Sequence, residues 1–282
     1  MNFARELWLR IETTHAVTYF GSETVEAGQN LGLSGFWMGY FAFRAAPMGA
    51  VGSGVVEATF FNFAPSFVRR WVPQVWSVAD TERLIEARRD AAVATLKRLH
   101  PDVAAVAESV NPTLEAAMNL GITAGRPLFA ANRDLHLPDD PVERLWQLCT
   151  SLREHRGDGH VAALTAAGLD GLDAHVLIAA EQGNSPEDLQ RTRGWTADDW
   201  AEAVARRTAR GQIDESGQLT DAGRSIRAAI EKRTDELAAA PFAPLSDDER
   251  TSLITALDPL ARAISVSGTI RYPNPMGLPA LA

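Results

Sequence analysis

Apolar positions recur at helical spacing from the start of the chain. Phe3, Leu7, Trp8, Ile11, Val17 and Phe20 form one stripe, which predicts a long first helix over 3–31 with His15 inside it. Gly35 to Gly49 is mostly aromatic and small residues. It reads as a second helix that must end near Pro47, because proline has no amide donor and disfavours helix in the residue before it. This helix carries Tyr40 and, one turn later, Arg44. Ser53 is read as the cap of a short helix over 55–63 that Pro65 ends. Trp76 to Asp80 leads into a helix reaching about Leu99, and a polar helical pair follows through Asn111. Pro127, Pro138 and Pro141 punctuate what comes next. The chain thus divides into an N-terminal helical half at 1–110, a bridge at 111–140, a second half at 141–240, and a C-terminal helix with a Pro-rich tail at 241–282.

The second half opens at Asp140 and Pro141, a cap followed by proline in the first turn. Its helix is expected to stop in the stretch from Leu152 to Leu164. There Gly157 would take a positive φ, Asp158 would cap the next helix, and Gly159 would allow close approach. Such an elbow would project His155, Arg156 and His160 from a rigid corner. Helices over 159–167 and 172–182 then stop at Gly168 and Gly183. Ser185 to Gly194 is a short capped helix, and Thr196 with Asp199 opens another as a capping box. After Gly211, Ile213 begins a strand, Asp214 to Gly217 turns it, and Leu219 closes a hairpin before Thr220 caps a helix to about Ala239. Helix, turn, helix, hairpin, helix is the winged helix-turn-helix order.

Offsetting the chain against itself by 120 residues sets Gly39-Tyr40-Phe41-Ala42 beside Gly159-His160-Val161-Ala162. With a one-residue gap, Trp76 then faces Trp195. The expected fold is mainly α, with a winged helix-turn-helix in the C-terminal half, one short β-hairpin wing, and a degenerate repeat of the motif in the N-terminal half.

Composition narrows the class. With 282 residues, 46% hydrophobic and 22% charged, the chain is long enough for two cores. No apolar run reaches membrane-spanning length, so no membrane partner is expected and the cytoplasm is the expected location. The lone cysteine, Cys149, sits on an apolar helix with no basic neighbour, which suits a core residue better than a nucleophile. A net charge of −9 opposes broad attraction to a phosphate backbone.

From Gly157 to about Ala240 the pattern resembles the MarR-type winged helix, with 185–193 as its first motif helix and 196–210 as its recognition helix. Over most of its length the chain is similar to an actinobacterial family of MarR-like helix-turn-helix proteins. Arg44-Ala45-Ala46-Pro47, Arg156 to His160, Arg193-Gly194-Trp195 and Glu231 to Asp235 carry that likeness. The resemblance implies a fold more firmly than an activity. Its recognition helix would meet DNA with Ala197, Asp198, Asp199 and Glu202, and 185–240 holds eleven acidic and nine basic side chains. Arg206, Arg207 and Arg210 cluster at the other end, where they complement the helix dipole.

No Walker loop, Rossmann fingerprint, paired Cys-x-x-Cys or His-Glu-x-x-His stands in the sequence, and no cofactor is expected. A metal would need Asp158 or His175 beside His155 and His160, which are five residues apart. Gly52-Ser53-Gly54 lacks the surroundings of a nucleophile elbow. The positive constellation is an acid–base set of His160, Asp158 and Tyr40 with ligand-binding Arg44, His155, Arg156, Arg193, Trp195, Phe43 and Phe60, lining a pocket between the halves. Arg44 has two readings, an internal salt bridge or an anion clamp. The function expected is binding of a small anionic organic molecule in metabolism, with cofactor-independent acid–base chemistry of lyase, cyclase or isomerase type left open. A MarR-like, ligand-responsive and dimeric DNA-binding regulator is the alternative, and a purely structural protein would have no enclosed polar cavity. The tail from Arg271 to Ala280 is read as extended, lying across a partner or across the pocket.

Overall fold

Most helices begin where a side chain can accept their first free amides. In the computed structural model, which describes residues 2–274 and 276–281, Asn2 caps α1 (Phe3–Phe20), Asp80 caps α7 (Thr81–Leu99), and Asp140 accepts from the amides of Val142 and Glu143 at the head of α10 (Pro141–Ala166). Asp170, Thr196, Thr220 and Ser246 do the same for α11 (Gly171–Gln182), α13 (Ala197–Ala209), α14 (Asp221–Ala239) and α15 (Asp247–Val266). Each such cap is worth about 1 kcal/mol. The remaining helices are α2 (Ser22–Asn30), α3 (Gly35–Ala45), α4 (Ser53–Thr59), α5 (Pro65–Trp71), α6 (Val75–Val78), α8 (Val103–Leu120), α9 (Pro127–Arg133) and α12 (Pro186–Arg193).

Five sequence-based expectations are corrected. The long first helix breaks at Gly21, which is extended at φ −63°, ψ 137°, and a Cβ there would lie 2.5 Å from Thr95 Oγ1 on α7. Ser53 is the first helical residue of α4 rather than its cap. α8 runs through Pro112, its packing on α10 outweighing the lost hydrogen bond. The elbow does not form either: α10 is continuous, and neither Gly157 nor Gly159 takes a positive φ. Glycine permits a helix stop without requiring one. At 159 it serves close approach instead, since a Cβ would come 2.7 Å from Arg126 Nη1 and 3.4 Å from Leu237 Cβ on α14.

The β wing is the fifth correction. Among the described residues there is no strand, only one antiparallel bridge between Ile213 and Leu219. The rungs Asp214 N to Gln218 O at 2.9 Å and Thr220 N to Gln212 O at 3.1 Å flank it. The segment has no residues to extend the ladder, because Gln212 N already closes onto Arg207 O and the Thr220 side chain already caps α14. The Asp214 side chain takes the amides of Ser216 and Gln218, so the turn is tied by a side chain rather than by a sheet. Tyr40 and His160, set opposite each other by the 120-residue offset, lie mid-way along the eleven residues of α3 and near the end of the 26-residue α10.

Three apolar cores surround α10. The first joins α1, α7, α8, α10 and α15 around Trp146, Leu148 and Leu257. The second is the aromatic cluster of α3 to α7 with Leu128. The third packs the end of α10 against α11, α12, α13 and α14 around Leu177, Leu189, Trp200 and Ala203. Cys149 is fully buried in the first core, where burial pushes its thiol up to about 12. No single helix of the described residues is long and apolar enough to cross a membrane.

Candidate functional site

Where the three cores meet, α10 presents Gly157, whose missing side chain helps leave open a cavity of about 990 Å³. α1, α3, α11 and α14 form its other walls, and the tail from Thr269 to Gly277 lines one side. Its volume suits an organic molecule of drug size. Two close docks hold the walls: a Cβ on Gly171 would sit 1.9 Å from Phe61 O, and one on Gly194 would sit 2.3 Å from Phe67 Cβ. Ala64 N donates to Arg193 O at 2.9 Å and Trp195 Nε1 to Asn62 O at 3.1 Å, fixing 59–64 against the end of α12.

Seven arginines and four carboxylates line this space, in a chain whose net charge is −9. Arg44 meets Glu154 through two parallel bonds of 3.0 and 3.1 Å, donates to the Tyr40 hydroxyl at 3.1 Å, and lies 4.3 Å from the Phe60 ring centroid. Arg153 bridges Glu12 and Glu154, so an ion-pair line crosses from α3 through α10 to α1. The two guanidiniums hold the buried Glu154 carboxyl well below the usual carboxylate range despite burial. Arg156 pairs with Asp235 at 2.8 Å, Arg5 with Glu231 and Asp235, and Arg227 with Glu181 at 2.6 Å. Arg5 and Arg156 each lie 5.1 Å from the Trp8 centroid. Of the two readings of Arg44, the internal salt bridge is the one observed.

His160 has one nitrogen fixed and one free. Its Nδ1 lies 2.9 Å from Thr234 Oγ1, whose own proton goes to Ile230 O at 2.8 Å. The threonine oxygen therefore accepts, Nδ1 carries the hydrogen, and Nε2 keeps its lone pair with no protein partner among the described residues. Burial pushes this imidazole down to about 4, so it is neutral near pH 7, and Glu231 stands close enough to favour the charged form. His175 lines the same cavity, only 4% exposed, with Nε2 buried and unpartnered. Burial and the nearby Arg193 charge push it down to about 3. Asp158 accepts from Phe129 N at 2.9 Å, taking up a free amide at the start of α9. Burial and the Glu154 charge raise it to about 7.

Seven of the ten residues singled out from sequence therefore line one cavity: Tyr40, Arg44, Phe60, Arg156, Asp158, His160 and Arg193. Three do not. Phe43 is buried in the aromatic core with its carbonyl held by Arg88 at 3.0 Å. His155 packs edge-on against Phe129 at 4.8 Å while Arg126 holds its carbonyl, and burial takes it down to about 3. Trp195 serves the dock already described. Sequence reasoning missed Arg5, Trp8 and Glu12, although steps of three and four put them on one helix face. It also missed Arg227 and Glu231 of α14, four apart, and gave His175 only a metal-binding role. Among the described residues no three His, Cys, Asp or Glu side chains gather to hold a metal ion.

The third core contains α12 and α13, the two helices that the sequence pattern reads as the helix-turn-helix pair. At the head of α13, Asp198 and Glu202 are exposed. At its other end Arg207, 2% exposed along its side chain, pairs with Asp173 at 3.2 Å, and Arg206 reaches Asp170 and Asp173. Two of its three arginines are thus committed to the capping box of α11, and Arg210 is exposed without a carboxylate partner among the described residues. No curated protein and no solved structure matches this chain. A family profile described as helix-turn-helix matches residues 4–271, nearly the whole length, and on that match the chain belongs to this helix-turn-helix family.

Proposed function

We propose that this chain binds a small organic anion in the cavity between α1, α3, α10, α11 and α14, and that His160 moves a proton on it. The observation that carries the reading is the cavity itself. It combines a neutral imidazole with a free nitrogen, arginines enclosed by protein, and a wall of aromatic rings in one space. Thr234 fixes the tautomer, so Nε2 can take a proton from an acidic carbon or hydroxyl of the bound molecule. The imidazolium formed is compensated by Glu231, and the new negative charge on the ligand meets the arginines. That chemistry fits a lyase, cyclase or isomerase working without a cofactor. Asp158, raised to about 7, is the second group able to hold or release a proton near neutrality.

A second reading, a MarR-like ligand-responsive regulator that binds DNA as a dimer, is favoured by membership of the helix-turn-helix family. The acidic head of α13 opposes it. Native mass spectrometry of the freshly purified protein tests the first reading, with a stoichiometric small-molecule adduct lost in a His160→Trp variant as the expected outcome. A salt-dependent DNA retention assay tests the second. Sequence-selective retention at physiological salt, with no small-molecule adduct, would make the regulator the better account.

A further inference from the structure

The cavity's arginines are not equally available. Arg5, Arg44, Arg153, Arg156 and Arg227 are each paired with a carboxylate. Arg193 and Arg271 have no carboxylate partner among the described residues. Their settings differ. Arg271 is exposed on the tail, whereas the Arg193 guanidinium lies 4.8 Å from the Phe63 ring centroid and 6.0 Å from that of Trp37. Among the described residues its one protein acceptor is the Thr192 carbonyl at 3.1 Å, leaving four of the five N–H donors of a guanidinium without a partner there. Burial lowers its affinity for its proton, but a guanidinium stays charged at neutral pH.

A charge taken out of water beside aromatic rings is costly unless something of opposite sign meets it. A second observation marks the same place. His175 lies near enough for the Arg193 charge to act on it, lines the cavity, and has a buried nitrogen with no partner. A partly buried cation and an imidazole with one unpartnered nitrogen, both lining one cavity, are two halves of a polar recognition site. The half-buried rings of Trp37 and Tyr40 continue from it, backed by the buried Phe60 and Phe63.

We propose that Arg193 and His175 form the head-group site of the cavity, and that its ligand is a planar conjugated monoanion, a carboxylate or sulfonate, whose ring system lies along Trp37 and Tyr40. The inference rests on the cavity-binding reading and adds where the charge is held and how many charges there are. With Arg271 exposed on the tail, Arg193 is the one partly buried guanidinium of the lining without a carboxylate partner among the described residues; it neutralises one negative charge, and a second would be desolvated without a counter-ion. Flatness follows from the lining, since faces and edges of rings stack on a planar body.

Calorimetric titration with three probes of one shape tests it: 2-naphthoate, neutral 2-naphthamide and dianionic 2-naphthyl phosphate. The protein should take up 2-naphthoate one to one, roughly tenfold or more tighter than either of the others. Arg193→Gln should weaken 2-naphthoate roughly 10- to 100-fold, the loss of a charge-assisted pair, and change 2-naphthamide less than about threefold. Arg271→Gln should change neither by more than about threefold. Equal binding of 2-naphthoate and 2-naphthamide by the wild type, or a loss that follows Arg271 instead of Arg193, overturns the head-group assignment while leaving the cavity reading standing. Failure of all three probes to bind one to one overturns both. If Arg193→Gln lacks the wild-type near-ultraviolet circular dichroism, the order of the three affinities in the wild type decides alone.

Discussion

Glu154→Gln is the sharpest perturbation of this architecture. The carboxylate is 1% exposed and accepts from Arg44 at 3.0 and 3.1 Å and from Arg153 at 3.0 Å, so it neutralises part of two enclosed cations. The amide keeps the shape but removes the charge and turns one acceptor into a donor facing guanidinium hydrogens. Arg153 retains Glu12, whereas Arg44 retains only the Tyr40 hydroxyl and the Phe60 ring. Removing one partner of an enclosed pair costs about 3–5 kcal/mol. That is a large part of a typical stability of about 5–15 kcal/mol. For a chain of this size it corresponds to a fall of roughly 10 °C in melting temperature.

Urea and thermal unfolding followed by circular dichroism measure it, with the exposed pair Arg233 and Glu236 as control, where Glu236→Gln should leave the midpoint unmoved. A double-mutant cycle with Arg44→Met separates the pair from general damage: the double variant should recover part of the loss, because no unpaired Arg44 charge remains. A loss below about 1 kcal/mol for Glu154→Gln, or additive losses in the cycle, would refute the argument that α3 and α10 are held together by this pair.

Acid should destabilise the fold between about pH 6.5 and 4. His15, His155, His160 and His175 all bind protons less readily folded than unfolded, so each contributes stability that is present above its unfolded value of 6.5 and is lost as pH falls. Asp158 acts in the opposite sense: raised to about 7, it favours the fold at low pH and withdraws that support as pH rises from about 4 to 7, so Asp158→Asn should steepen the acid loss measured by unfolding at a series of pH values. Gly157→Ala should be neutral or gain about 0.5–1 kcal/mol, since the position is helical and its Cβ would meet nothing closer than Glu154 Oε2 at 3.5 Å. Gly171→Ala should cost several times that, roughly 2–4 kcal/mol by thermal unfolding, because its Cβ would strike Phe61 O. A destabilised Gly157→Ala would revive the helix stop expected there from sequence.

Local chemistry was legible and long-range chemistry was not. Asp140, Thr196 and Thr220 act as caps because a cap needs only its own chain a few residues on. The Gly157 elbow fails for a reason no local reading contains: glycine at 159 admits Arg126 from 33 positions earlier and Leu237 from 78 later. The wing fails by length, because the helix ends on either side use up the backbone groups that a ladder needs. Tyr40, Arg44, Asp158, His160 and Arg193 line one cavity because charged or polar groups in apolar surroundings must face a partner or a cavity. Phe43 was misplaced because an aromatic helix gives little sign of which face meets a core and which meets a space. Arg193 was grouped with Arg44 because sequence shows cations but not which of them a distant glutamate has already neutralised.

That last distinction links the family fold to the charge of the molecule. The chain carries −9 overall and displays Asp198 and Glu202 at the head of α13, so a polyanion approaching the helix-turn-helix meets repulsion. Inside, seven arginines outnumber four carboxylates, and Arg193 remains without a carboxylate partner among the described residues. Five of those seven arginines are paired with carboxylates, so what distinguishes the cavity is the placement of Arg193 rather than the count of charges. On the proposed reading, a small anion in the cavity would be held by contacts at short range in a low dielectric, where one guanidinium counts for more than distant surface charge. A nucleic acid docks from outside, where the acidic face is what it meets. If the proposed site at Arg193 holds a monoanion, raising the ionic strength should weaken repulsion at the surface long before it loosens that ligand.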